Sequence, residues 1–218
     1  MTITTITAPS TSLLTTVSRV QAELGIEGDE VLLLALIRVA TAAIEKYTSR
    51  KFAEERIAET FGVEGPTTQF FLTRHPIVAL HSLTFNGALV DAAVYEVSDA
   101  EAGELFMAQG FTPTPIRVQG ITLWTEGRVE LLYEANYTAG YILPDAGPAS
   151  PSPNLPADIE QAAVETVKAR WQQKPRDSSV KSERIGDYAA TYADPTANAS
   201  GLPPAAMALV ESYRKVVW

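Results

Sequence analysis

The chain has 218 residues and a formal net charge of −9, and so acidic a surface repels DNA, against a role in gripping nucleic acid. It contains no cysteine, which excludes disulfide frameworks, Cys-built zinc sites and thiol nucleophiles. With 46% hydrophobic and 20% charged residues, the composition is that of a globular domain of ordinary size with appendages.

Residues 1–10 are polar and Thr-rich, with no basic residue and no apolar run. They read as a flexible arm and not as a signal peptide, so a soluble cytoplasmic product is expected. The longest strongly apolar stretch, residues 31–37, is too short to cross a bilayer. Leu13, Val17, Val20 and Leu24 recur at helical spacing, with Ser12 as N-cap and Gly25 as stop. A second helix starts near Asp29 and lines Leu33, Leu36, Ala40, Ala43, Ile44 and Tyr47 along one side. Its link to the first is short, which predicts an antiparallel helical hairpin over residues 11–54.

From residue 55 the period becomes twofold. Ile77, Ala79, His81, Leu83 and Phe85 alternate with more polar neighbours and run into Asn86-Gly87, a strong signal for a type I′ hairpin. Alternation resumes at 94–97, 104–107 and 116–124, and ends with Val129, Leu131 and Tyr133 on one face. Four to six short antiparallel strands are expected in residues 55–141, with loops at 99–103 and 110–115. Residues 142–156 hold five prolines and read as a linker. A core helix follows over 157–175, striped by Ile159, Ala163, Val167 and Trp171. Residues 176–201 read as an extended arm or loop, and 202–218 as a C-terminal helix that starts at Pro203-Pro204. The expected fold is α+β: the N-terminal hairpin and C-terminal helices form a small helical bundle, with an antiparallel β-rich region inserted.

Catalytic parts are scarce. His75 and His81 are the only histidines, and His81 reads as a satisfied, partly buried strand residue. No metal-binding, nucleophile-elbow or phosphate-loop pattern occurs. Asp29-Glu30 and the Asp158/Glu160 pair fall in predicted first helical turns, where carboxylates complement the helix dipole. No catalytic, cofactor or metal residue is nominated, and an enzyme is not expected. One basic patch interrupts the acidic background: Lys168, Arg170, Lys174, Arg176, Lys181 and Arg184. It reads either as a solvated helix end or as a site for an acidic surface or DNA. Ile185, Tyr188 and Tyr192 lie in a stretch too polar to build its own core, and either fold back or dock on a neighbour. The apolar positions Met207, Val210, Tyr213, Val217 and Trp218 raise the same question, since exposed apolar patches mark interaction sites.

The order of several segments resembles the head-tail connector, or head-completion, proteins of long-tailed phages and gene-transfer particles. Those segments are the opening hairpin with residues 42–52 (AAIEKYTSRKF), Arg74-His75-Pro76-Ile77 leading to Asn86-Gly87, Tyr95-Glu96-Val97, Gly103-Glu104-Leu105, residues 137–141 (YTAGY) followed by 155–162 (LPADIEQA), residues 182–188 (SERIGDY), and Leu202-Pro203-Pro204. The Pro-rich linker is longer than that pattern has. The resemblance implies a virion neck protein, made in the host cytoplasm, that assembles as a ring, commonly of twelve copies, on the portal protein of a filled capsid. It would extend the DNA channel, let DNA pass without specific binding, and receive the next neck or tail protein, with no membrane and no cofactor. A tail-terminator or stopper neck protein, and a DNA-binding packaging factor using the Lys168–Arg184 patch, are the competing readings.

Overall fold

The computed structural model describes residues 1–63, 65–112, 132–145, 152–173, 182–185, 188–191 and 201–215. These form two compact units that share the chain discontinuously: Met1–Pro9 with Ala53–Tyr141, and Ser10–Phe52 with Ile142–Trp218. The first is antiparallel β and the second mainly helical, so the fold is α+β.

In the β unit the strands are β1 (Thr2–Thr7), β2 (Glu55–Phe61), β3 (Thr67–Phe71), β4 (Ile77–Phe85), β5 (Ala88–Leu89), β6 (Tyr95–Asp99), β7 (Glu104–Phe111) and β8 (Tyr133–Ala139). They make a five-stranded sheet ordered β1-β2-β8-β4-β5 and a three-stranded sheet ordered β3-β7-β6. The expected flexible arm at 1–10 is therefore corrected: Thr2–Thr7 is a strand paired with β2. Its Thr-Ile-Thr-Thr-Ile-Thr sequence is wholly β-branched, and such residues favour the pleated state. Asn86 and Gly87 both take positive φ (50° and 80°), and Thr84 pairs Leu89 across them, as a type I′ turn requires. The expected 116–124 strand, with Val129 and Leu131, lies outside the described residues. The expected 110–115 loop begins later, since β7 reaches Phe111.

Side chains from both sheets share one core. Ile57 and Phe61 of β2, Leu83 of β4, Leu105 and Met107 of β7, and Tyr133, Ala135 and Tyr137 of β8 are all buried. Phe61 stacks on Phe70 at 3.8 Å between centroids, and Tyr133 meets Phe111 edge-on at 5.2 Å, the second a favoured aromatic geometry. In phase with Ile57 and Phe61, however, stands Glu59, a carboxylate with no exposure. Three donors from two residues converge around it: the Thr73 backbone N–H at 3.0 Å and hydroxyl at 2.7 Å, and the Tyr137 hydroxyl. Tyr137 in turn accepts from the Arg74 N–H at 3.2 Å. Desolvation by burial, then the Glu59 charge and hydrogen bond, raise the Tyr137 phenol far above its ordinary value.

Gly140 closes the same region. It takes φ 112°, and a Cβ there would stand 2.5 Å from the Ala53 carbonyl oxygen. Its N–H donates to the Pro76 carbonyl at 2.9 Å, while Glu54 N–H donates to Tyr141.

The second unit holds α1 (Val17–Leu24), α2 (Glu30–Thr48), α3 (Ala157–Gln173), β9 (Ser182–Ile185), β10 (Tyr188–Thr191) and α4 (Pro204–Val210), with a short 3-10 turn at Glu211–Tyr213. The N-cap of α1 is Thr16, whose hydroxyl accepts from Arg19 N–H, in place of the expected Ser12. Gly25 ends it in the left-handed conformation as expected. Asp29 sits at the α2 N-cap with φ 52° and no side-chain capping bond. The core stripe of α2 is Leu33, Ile37, Ala40, Thr41, Ile44 and Thr48, rotated from the expected one; Leu36 and Tyr47 are only half-buried. Thr41 can lie inside because its hydroxyl accepts the Leu14 N–H, and Thr48 because its hydroxyl donates to the Ile44 carbonyl. Val164 and Val167 of α3 complete the core with Val20.

The extended arm expected at 176–201 contains an antiparallel hairpin, with Ile185 opposite Tyr188 and Ser182 opposite Thr191. The expected long C-terminal helix is also corrected. Among the described residues helical structure ends at Tyr213, and Arg214 is extended; the chain's own unit buries Leu202, Ala206 and Val210 completely.

Two predictions follow from the β unit. Gly140→Ala should lower its stability by about 2–4 kcal/mol, because a strained φ coincides with a backbone clash; denaturant melts of the two proteins measure it. Tyr137→Phe should cost about 1–3 kcal/mol by removing one donor from a buried carboxylate. Because folding raises the Tyr137 pKa, the stability it contributes is full below pH 10 and falls as pH rises beyond it. Urea melts between pH 9 and 11 should therefore show a steeper alkaline loss in the parent than in Tyr137→Phe.

Candidate interaction surfaces

Reactive side chains come first. Among the described residues, no group of three or more His, Asp or Glu is placed to hold a metal ion. His75 Nδ1 donates to the Glu101 carbonyl at 2.8 Å. His81 is exposed instead of partly buried, because strand β4 is bulged beside it; its Nε2 lies 2.8 Å from Thr138 Oγ1. Asp158, in the first turn of α3, accepts the Tyr213 hydroxyl at 2.9 Å and the Ile159 N–H. Each of these groups serves the fold locally.

The basic patch is divided. Lys168 pairs with Glu23 at 3.4 Å, and Arg170 donates to the Gly201 carbonyl at 3.0 Å. Arg184 stands in β9 opposite Ala189. Lys174, Arg176 and Lys181 lie outside the described residues. The two cations placed on α3 thus act within their own unit, one holding α1 and the other the turn before α4.

The expected interface residues also divide. Ile185 and Tyr188 are the innermost cross-strand pair of the β9–β10 hairpin. Met207 is half-buried on α4. Val210 is fully buried, which removes it from any free surface. Tyr213 is half-buried, with its hydroxyl bonded to Asp158. Tyr192, Val217 and Trp218 lie outside the described residues.

The structure adds a surface that the sequence reading missed. Val31, Ala35, Val39 and Ala42 recur at spacings of four, four and three on α2, and all are exposed, Val31 by 86%. They occupy the side of α2 away from Leu33, Ile37 and Ile44. The signal was available, for residues 31–37 (VLLLALI) are apolar on every side, and one buried stripe accounts for only part of such a helix. Arg38 and Lys46 border this face, so it is apolar with a cationic margin. The β unit exposes Phe71, Val78 and Leu89 as well, scattered residues of the kind common on any surface.

The chain is similar to known proteins over nearly its whole length. The family model described as head completion protein matches residues 13–216. No curated protein matches the chain. Among solved structures, a chain in the neck of an empty gene transfer agent particle, computed with C6 symmetry, is similar at 19% identity and a TM-score of 0.56. A chain in the virion of a native gene transfer agent particle is similar at 21% identity and a TM-score of 0.57. Each comparison covers 100% of this chain and 97% of the other, so the shared fold includes both units. The family match likewise runs through both, from α1 to beyond the last described helix, and the chain belongs to the head completion protein family.

Proposed function

We propose that this chain is a structural virion protein that forms a ring at the portal vertex, joins the filled head to the tail and extends the DNA channel. The observation that carries this reading is the head-completion match over residues 13–216, supported by a fold similar over its whole length to chains of gene transfer agent particles. Its partners are then the portal protein, neighbouring copies in a ring of about twelve subunits closed by rotational symmetry, and the next neck or tail protein. The role is mechanical and not enzymatic.

Two physical features support it. Each copy carries a net charge of −9, so a ring multiplies an acidic field that lets DNA slide without adhering. The α2 face from Val31 to Ala42 supplies apolar area for a neighbour, and repeated modest contacts around a ring reinforce one another through effective concentration. The DNA-binding alternative loses ground, because Lys168 and Arg170 are engaged within their own unit.

The direct test is the mass of the purified chain, alone and mixed with its cognate portal, by light scattering and negative-stain microscopy. A ring seated on the portal is the expected result; a chain that ignores the portal overturns the reading. Val31→Asp with Val39→Asp should leave the melting temperature of the isolated chain unchanged and weaken ring formation on the portal at least about tenfold, as desolvating two carboxylates costs more than the valines gain. Deletion of residues 203–218 should destabilise the helical unit, since it removes the buried Ala206 and Val210; the midpoint of a urea melt reads this loss.

A further inference from the structure

The five-stranded sheet ends on β1, whose second edge has no strand partner among the described residues. Natural edge strands are normally protected by charge, proline or brevity. Strand β1 has none of these: Thr2–Thr7 is a six-residue run of threonine and isoleucine without charge or proline. Its first four residues pair with β2 without a break, Thr2 through Thr5 opposite Thr60 through Ile57. Five of its six residues are exposed, and only Ile3 packs partly on the core. The other available edges differ. Strand β6 carries Glu96 and Asp99, β5 has two residues, and β3 keeps three residues in unbroken register, against four in β1 before its own shift after Thr5.

A second β element, among the described residues, has only two strands. The β9–β10 hairpin is a separate two-stranded sheet with four residues per strand. Such a hairpin is marginal in water, and three strands or a packed face are normally needed for stability. Strand β9 includes Glu183 and Arg184, whereas β10 is Tyr-Ala-Ala-Thr, uncharged and four residues long, the length of the unbroken stretch of β1.

We propose that β10 of one copy adds to the free edge of β1 in the neighbouring copy, so that the five-stranded sheet continues into the hairpin across the subunit boundary. The inference rests on the ring reading and adds a second contact to that of the α2 face. Donor and acceptor are different elements, one from each unit, so the contact repeated in one direction is head-to-tail and propagates around a ring. Main-chain hydrogen bonds supply the affinity in this mode of recognition, which explains how a contact forms from segments with few large apolar side chains.

The absence of cysteine makes the test direct. Single cysteines are placed in turn at Thr2 to Thr5 in one tagged batch and at Tyr188 to Thr191 in another; the batches are mixed, assembled on the cognate portal and oxidised. The expected result is a disulfide between differently tagged copies, recurring at alternate positions along both strands. In the unsubstituted protein, the amides of Thr2–Thr7 and Tyr188–Thr191 should slow their hydrogen exchange together by about tenfold or more on assembly. Rings that form without any cross-link and without that protection overturn this inference and leave the ring reading standing. Disulfides confined to one copy, when both cysteines are placed in the same chain, overturn it too. A chain that forms no ring on the portal overturns both.

Discussion

A carboxylate on the inner face of a strand costs free energy unless hydrogen-bond donors are brought to it. Glu59 imposes that condition on the β unit. Its partners come from two separate stretches: Thr73, in the turn before β4, and Tyr137, on β8. Thr73 is followed at once by Arg74, whose N–H reaches the Tyr137 hydroxyl. The turn and both strands are thereby held in one arrangement, since any shift in register would strip donors from a buried charge. The surrounding core supplies most of the stabilisation, and the polar cluster selects which packing is adopted.

This cluster also gives physical content to two of the segments that carry the family resemblance. Arg74-His75-Pro76-Ile77 and the 137–141 segment are far apart in sequence. They meet through the Arg74–Tyr137 bond, the Gly140–Pro76 bond and the close approach of Gly140 to Ala53. Tyr141 then bonds Glu54 through the backbone, at the point where the chain enters the β unit from α2. The family pattern therefore records a closure, made where the polypeptide passes into and out of this unit.

Much of the architecture was legible locally. Asn86-Gly87 announces its turn because only a few residues tolerate two successive positive φ angles, and Gly25 announces the end of α1 for the same reason. What escaped depended on partners distant in sequence. Strand β1 looks like a mobile tail until β2, some fifty residues later, supplies its ladder. The α2 stripe was misplaced because Thr41 and Thr48 counted as polar, whereas hydrogen bonds to Leu14 and Ile44 let both lie inside. For the interaction surface the difficulty was of another kind. Periodicity identifies apolar residues but does not separate a buried face from an exposed one when a helix is apolar all round, so Val31, Ala35 and Val39 were passed over while Val210 was assigned outward.

The proline-rich stretch between the β unit and α3 is gathered at its base. Ile142 and Asn154 exchange hydrogen bonds, the Ile142 N–H to the Asn154 side-chain oxygen at 2.7 Å and the Asn154 N–H to the Ile142 carbonyl at 3.1 Å. This clasp fixes the two ends of a segment whose length bears only weakly on its closure entropy. Leu143, next to the clasp, is buried and belongs to the core, so lengthening beyond it costs little and removing it does not. The clasp thus marks a natural grafting position, where an epitope or fluorophore tag could be added to the chain without disturbing either core.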